Sequence, residues 1–198
     1  MKFGLAVVVM GAAGIVGATQ SFAASTTYAT FYAAGHAAQV CAGAAAAAQT
    51  KGRANDAELG ACTTAIRMAG DSDSRLAAAY TNRAILHLVR AEYQESVADS
   101  DSALQIDSRL VEAIVNRGVG MLLQHRPTEA DADFTRALSL APSDQAKIYF
   151  NRAMAREDSR DLRGAYADYR EAAKLDPQWD RPKQELSRFT VVPKSPVS

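Results

Sequence analysis

The chain has 198 residues, enough for one domain or a short repeat array, and its 22 basic and 22 acidic residues cancel. The balanced charge indicates neither a nucleic-acid-binding surface nor an acidic tail. Hydrophobic residues make up 48% of the chain, and many of them are alanine, which is the strongest helix former. No segment alternates apolar and polar residues as a half-buried strand does. The composition therefore predicts an all-α protein.

The first segment is predicted to be a secretory signal peptide. Lys2 supplies a positive start, residues 3–18 are apolar and rich in small residues, and Ser21 and Ala23 offer small side chains before a cut. Removal of residues 1–23 would leave a periplasmic or secreted protein without a membrane span. A transmembrane anchor is the alternative, but the segment is short for a span and contains four glycines.

The next feature is a pair of cysteines, Cys41 and Cys62, which are the only two in the chain. An even number in an oxidising compartment predicts a disulfide, and two buried free thiols are the alternative. The spacing is not that of a redox motif. Zinc would need further ligands, and His36 is the only histidine nearby. We therefore predict no metal site and no cofactor.

An internal repeat follows. Its first marker is an Asn-Arg pair before a small residue, and the asparagines are 34 and 35 residues apart. A second marker begins 21 residues after each asparagine with an alanine, and closes with a serine or proline. The asparagines are Asn82, Asn116 and Asn151, the alanines are Ala103, Ala137 and Ala172, and the closing residues are Ser108, Pro142 and Pro177.

This pattern resembles the tetratricopeptide repeat, a helix–turn–helix unit of about 34 residues. Ala130, Phe134 and Pro142 stand where that family has alanine, an aromatic residue and a closing proline, and the third unit fits equally well. The first unit departs, with Ser96 and Ser100 at the first two of these positions. The resemblance implies a right-handed superhelix of stacked helix pairs. Its three units would span about residues 77–110, 111–144 and 146–179.

Flanking segments are predicted to close both ends of the array. Residues 24–76 would form a degenerate helix pair, whose second helix runs from Asn55 to Met68 and whose first helix covers about residues 36–49. Cys62 falls where Ser100 falls in the first unit, so it would face the partner helix that carries Cys41. Residues 180–189 are predicted to form a capping helix, and residues 190–198 a disordered tail.

Arginine replaces the family's usual leucine in all three units, and an aspartate follows 16 residues later. We expect structural ion pairs between helices, because the guanidinium fork suits partly buried carboxylates. Three anion-binding arginines are the alternative. The pairs are Arg83 with Asp99, Arg117 with Asp133, and Arg152 with Asp168.

In the family, the position of the repeated asparagines lies on the concave face of the superhelix. A carboxamide donates and accepts hydrogen bonds, so a row of three could bracket the peptide units of a ligand. The alternative is that they tie adjacent helices together. Lys147 resembles part of a clamp for a chain-terminal carboxylate, although Ala78 stands at the clamp's other lysine position. The predicted peptide-binding residues are Asn82, Asn116, Asn151, Lys147, Ile85, Val115, Val119, Phe150 and Met154.

Catalytic signals are absent from the sequence. The histidines lie in different units, and neither a glycine-rich phosphate loop nor a nucleophile elbow occurs. We therefore predict no enzyme, but a scaffold or adaptor that holds a peptide or protein segment on its concave face in the cell envelope. The alternative is a structural envelope protein that self-associates without a peptide ligand. Nucleic acid is not an expected partner.

Overall fold

The computed structural model of the chain describes residues 26–140 and 142–189, with side-chain surroundings from residue 33 onward. The predicted signal peptide (residues 1–23) and the predicted tail (residues 190–198) lie outside the described residues. The described residues form nine α-helices and no strand. The helices are α1 (Thr26–Lys51), α2 (Asp56–Met68), α3 (Asp73–Val89), α4 (Tyr93–Ile106), α5 (Val111–Leu123), α6 (Pro127–Ser139), α7 (Gln145–Asp158), α8 (Leu162–Leu175) and α9 (Asp180–Leu186).

Six of these helices, α3 to α8, form three antiparallel pairs with a common arrangement. The second helix of one pair contacts the first helix of the next, α4 with α5 and α6 with α7. The first helices also touch along the array, α3 with α5 and α5 with α7. The predicted fold class, an all-α superhelix of stacked helix pairs, is confirmed. We call the pairs α3–α4, α5–α6 and α7–α8 the first, second and third units.

Small residues allow the two helices of a unit to approach each other. Ala84 and Ala153 are fully buried at this position, and the second unit has Gly118 there. A Cβ atom on Gly118 would lie 2.8 Å from Cε1 of Phe134, closer than real contacts allow. The second unit therefore requires glycine, because the Phe134 ring occupies the space that a methyl group would take.

The turn between the two helices of each unit has the same backbone conformation. Ala91, His125 and Arg160 have φ angles of 61°, 59° and 67°, in the left-handed region. In the first unit the amide of the next residue, Glu92, donates to the carbonyl of His87 at 2.9 Å. This bond satisfies a carbonyl at the end of the first helix and directs the chain into the second.

An N-terminal pair, α1 and α2, stands in front of the first unit. Helix α1 has 26 residues and begins at Thr26, earlier than the predicted start near His36; residues 26–35 contain no proline that would prevent a helix. Helix α2 begins with a capping box in which Asn55 and Glu58 exchange hydrogen bonds. None of the described helices combines the length and the apolar character that crossing a bilayer requires.

The predicted disulfide is confirmed: Cys41 of α1 is bonded to Cys62 of α2, and both residues are fully buried. The cluster around the disulfide is built mainly from alanines, among them Ala37, Ala48 and Ala65, and it includes Leu86 of α3. The N-terminal pair is thereby attached to the first unit through a core of small side chains.

Candidate functional site

The predicted peptide-binding residues lie on the first helices of the three units. Asn116 and Asn151 are completely buried, and Asn82 is 4% exposed. The two fully buried asparagines both have interaction partners. The structure thus places the three carboxamides beneath the surface, on helices that contact one another along the array. Whether these side chains contact a ligand stays a prediction.

The apolar members of the predicted face are also largely enclosed. Val115 and Val119 belong to the main hydrophobic cluster, together with Leu88 and Phe134. Ile85 is fully buried, and Phe150 lies under the ring of Trp179, with centroids 4.8 Å apart. These four residues are buried in the structure, and their contact with a ligand stays a prediction.

Two predicted residues remain accessible, Lys147 and Met154. The Lys147 side chain is 43% exposed, and its ammonium nitrogen lies 2.5 Å from Oδ2 of Asp144. Met154 is half-buried, between the clusters of the second and third units. The accessible part of the face therefore lies at the third unit, where a cation is already held by the chain's own carboxylate.

The three arginines form bidentate hydrogen bonds to aspartates on the second helix of their own unit. Nε and Nη2 of Arg117 donate to the two carboxylate oxygens of Asp133 at 2.8 and 2.6 Å. Arg83 binds Asp99 in the same way, with both distances 2.7 Å. The third pair, Arg152 with Asp168, has both distances at 2.8 Å. We call each such pair a fork.

Each fork has a further donor that reaches the preceding helix pair. Nη1 of the arginine donates to a polar side chain on the second helix of that pair, at 2.7 Å in the second unit and 3.1 Å in the others. The acceptors are Thr63, Asp101 and Thr135. The sequence contained a signal for them, since each directly follows the position of Cys62, Ser100 and Phe134.

The pKa of Arg117 is raised above its usual value, because its hydrogen bond to Asp133 outweighs the opposing effect of burial. The pKa of Arg83 is raised for the same reason, through Asp99. These guanidinium groups therefore stay charged at any pH at which the protein is folded. Their hydrogen-bonding groups are engaged within the chain, which favours the structural over the anion-binding interpretation.

The third unit has a second arginine in this network. Arg156 donates from Nε to Asp131 of α6 at 2.9 Å and from Nη1 to Oδ2 of Asp168 at 2.8 Å. Asp168, whose side chain is 5% exposed, therefore receives two guanidinium groups. Arg156 was not among the predicted site residues, because no equivalent arginine occurs in the other units.

In the first unit, a histidine occupies the position of Arg156. Nδ1 of His87 lies 2.7 Å from Oε2 of Glu92, and Nε2 lies 3.6 Å from Oδ2 of Asp99. Arg90 joins Glu92 to Asp56 of α2, with both distances below 3 Å. The hydrogen bond from His87, together with Arg90, lowers the pKa of Glu92. This network links the first unit to the N-terminal pair.

The sequence departures of the first unit leave two buried hydroxyl groups. Ser96 and Ser100 are fully buried, and neither Oγ atom has a hydrogen-bond partner in the described part of the chain. Among residues 26–140 and 142–189, no group of three or more histidine, cysteine, aspartate or glutamate side chains could hold a metal ion.

Comparison with known proteins gives matches among solved structures. No family model and no curated protein sequence matches the chain. The structure of MamA from Desulfovibrio magneticus RS-1 matches with a TM-score of 0.62 and 18% identity, over 77% of this chain and 82% of that one. The first TPR domain of human RPAP3 matches with a TM-score of 0.54 and 20% identity, over 57% of this chain and 87% of that one.

A third structure is the first TPR domain of Spaghetti (RPAP3) bound to the HSP90 peptide SRMEEVD. It matches with a TM-score of 0.54 and 20% identity, over 57% of this chain and 88% of that one. At these identities the matches define the fold. Together with the repeat period and the stacked helix pairs, they show that the chain has the fold of a tetratricopeptide-repeat solenoid.

Proposed function

We propose that the protein is a non-catalytic scaffold that binds a peptide or protein segment along the face formed by α3, α5 and α7. The fold carries the proposal, since a similar domain holds a peptide in the complex with the HSP90 segment. Repeat arrays of this kind use their extended inner surface for binding. The solenoid fold by itself does not identify the partner.

The distribution of exposed residues on this face supports a partner that begins at the third unit. Lys147 is accessible there, and its ammonium could exchange Asp144 for a carboxylate of the partner. Met154 lies two helical turns further on the same helix, and its flexible thioether suits an adaptable apolar contact. The buried asparagines would support this surface from below, or contact the partner after a small separation of the first helices.

We also propose that the protein works in the cell envelope. The buried Cys41–Cys62 disulfide supports an oxidising compartment. The predicted signal peptide supports the same location. A disulfide of this kind would be rare in a reducing cytoplasm.

A position-specific crosslinking experiment tests the binding face. A photoreactive amino acid replaces Met154 in one variant, and replaces Leu162, an exposed residue of α8, in a control variant. We expect a foreign envelope protein to be crosslinked from position 154 and not from position 162. Crosslinks between copies of the chain would support the alternative function, self-association. Crosslinks to a foreign protein from position 162 alone would contradict the proposed face.

Asn116→Ala tests the role of the buried carboxamides in the same assay. Because Asn116 is fully buried and has an interaction partner, we expect the loss of its carboxamide to cost about 1–3 kcal/mol of stability. If Asn116 only ties helices together, crosslinking from position 154 should persist below the melting temperature of the variant. Loss of crosslinking in the folded variant would assign the carboxamide to the binding site.

A further inference from the structure

A cavity of about 360 Å³ opens between the first turns of α3 and the connection from α4 to α5. Its walls are mostly apolar, and two carboxylates stand at its rim. The apolar side chains come from Ala77, Ala78, Ile106 and Leu110, and the carboxylates from Asp73 and Asp107. Both aspartates are exposed. Within the described residues, neither forms an ion pair.

The repeat explains why this place is open in the first unit. One repeat later, the positions of Ala77 and Ala78 hold Val111 and Glu112. Alanine side chains are smaller than either of these, so the start of α3 offers more room for a ligand at this position.

The next junction in the array, between α5 and the connection from α6 to α7, has a carboxylate with its own cation. Asp144 stands one repeat after Leu110, and it holds the ammonium of Lys147 at 2.5 Å. At the first junction, the position of Lys147 is held by Glu112 of α5, which supplies no cation to the two aspartates of the cavity.

We propose that the cavity is a subsite for the side chain of a lysine or arginine of the bound polypeptide. Such a side chain has an apolar stem and a charged end. The stem would lie against Ala78, Ile106 and Leu110, and the charged end would reach Asp73 or Asp107 at the rim. This subsite adds a specificity to the proposed function. It rests on that function because the lysine or arginine would belong to the polypeptide that the protein binds.

Peptide titrations of the purified, isotope-labelled protein test the subsite directly. The probe is the acetylated and amidated heptapeptide Ala-Leu-Ala-Lys-Ala-Leu-Ala, compared with peptides carrying norleucine or glutamate in place of lysine. Norleucine keeps the stem and removes the charge. We expect the lysine peptide to shift the backbone amide resonances of residues 73–78 and 106–110. The norleucine peptide should bind about two- to fivefold more weakly, as for an exposed ion pair, and the glutamate peptide more weakly still.

Variants of the two aspartates complete the test. Asp73→Asn combined with Asp107→Asn should remove the difference between the lysine and norleucine peptides. Both changes preserve shape, and an asparagine at position 107 can still accept the hydrogen bond from the amide of Arg109. Asp176→Asn is the matched control, because Asp176 accepts the equivalent bond from Gln178 and does not line the cavity. It should leave the titrations unchanged.

Three results would overturn the subsite: equal affinity for the lysine and norleucine peptides, shifts centred on other residues, or no shift at all. An undiminished preference for lysine in the double variant would also contradict it. Each of these results leaves the crosslinking from position 154 as an independent test. A partner captured there with no requirement for Asp73 and Asp107 would retain the scaffold and remove the subsite.

Discussion

The N-terminal pair and the three repeat units solve the same packing problem by different means. In the second and third units, the large side chains of Phe134 and Tyr169 fill the space between two helices, and in all three units a fork joins the helices. In the N-terminal pair, the run Ala44–Ala48 occupies the stretch where a unit has its arginine, and a disulfide joins the helices. A pair with little apolar area gains more from a covalent link, which restricts the unfolded chain.

The two regions are nevertheless one continuous stack. Arg83 of the first unit donates to Thr63 of α2 at 3.1 Å, as the later arginines donate to the preceding unit. Arg90 adds an ion pair with Asp56 of α2 at 2.7 Å. The N-terminal pair therefore lacks a fork of its own, but it accepts the hydrogen bond from the next one.

Removing the disulfide should have the largest effect on this comparison. We expect Cys41→Ala with Cys62→Ala to lose about 3 kcal/mol of stability, from the entropy of the unfolded chain. Hydrogen exchange should accelerate most in α1 and α2 and least in α7 and α8. Thiol titration of the denatured, non-reduced protein should find no free cysteine. If hydrogen exchange accelerated equally in all helices, the N-terminal pair would not depend on the disulfide more than the repeat units do.

Removing a fork should have the next largest effect. Arg117→Ala leaves Asp133, with a side chain only 8% exposed, without its main partner. We expect a loss of about 1–3 kcal/mol in urea unfolding. Arg109→Ala is the control, because this arginine is exposed and forms no fork. An unchanged unfolding midpoint for Arg117→Ala, with binding lost, would reverse the structural assignment of the arginines.

The turns offer a smaller change in the opposite direction. The N-terminal pair has Gly52 in the left-handed region, with φ at 65°, whereas the second unit has His125 there. An L-residue in this region costs about 1–2 kcal/mol. His125→Gly removes this strain, but glycine also gives the unfolded chain more conformational entropy. We therefore expect a net stabilisation of at most about 1 kcal/mol. Gly52→Ala should be destabilising, and a loss of stability in both variants would contradict this explanation.

The smallest expected effect concerns the far end of the array at high pH. Burial, assisted by the hydrogen bond to Glu157, raises the pKa of Tyr169 above its usual value of 10.0. The unfolded chain releases this proton first, so the tyrosine's contribution is complete below pH 10 and falls as the pH rises. The melting temperature should decline more steeply above pH 10 in the wild type than in Tyr169→Phe. Tyr166→Phe on the same helix is the control, and equal slopes for wild type and Tyr169→Phe would contradict the prediction.

The repeat period, the helix-pair architecture and the cysteine pairing could all be predicted from the sequence. Markers such as Asn82, Asn116 and Asn151 recur because each unit makes the same local contacts. The pairing of Cys41 with Cys62 follows from extending that register into a degenerate unit. These features depend on periodicity and on neighbours within one helix pair, and a single sequence records both.

Burial and contacts between units were decided only by the tertiary structure. The asparagine position predicts a face of a helix, but its exposure depends on how closely α3, α5 and α7 approach one another. The third donor of each fork has its acceptor in another unit, at a distance that no local pattern specifies. The cavity beside Ala78 likewise arises where two connected elements fail to fill the space between them. Such properties belong to pairs of surfaces, and periodicity within one segment does not determine them.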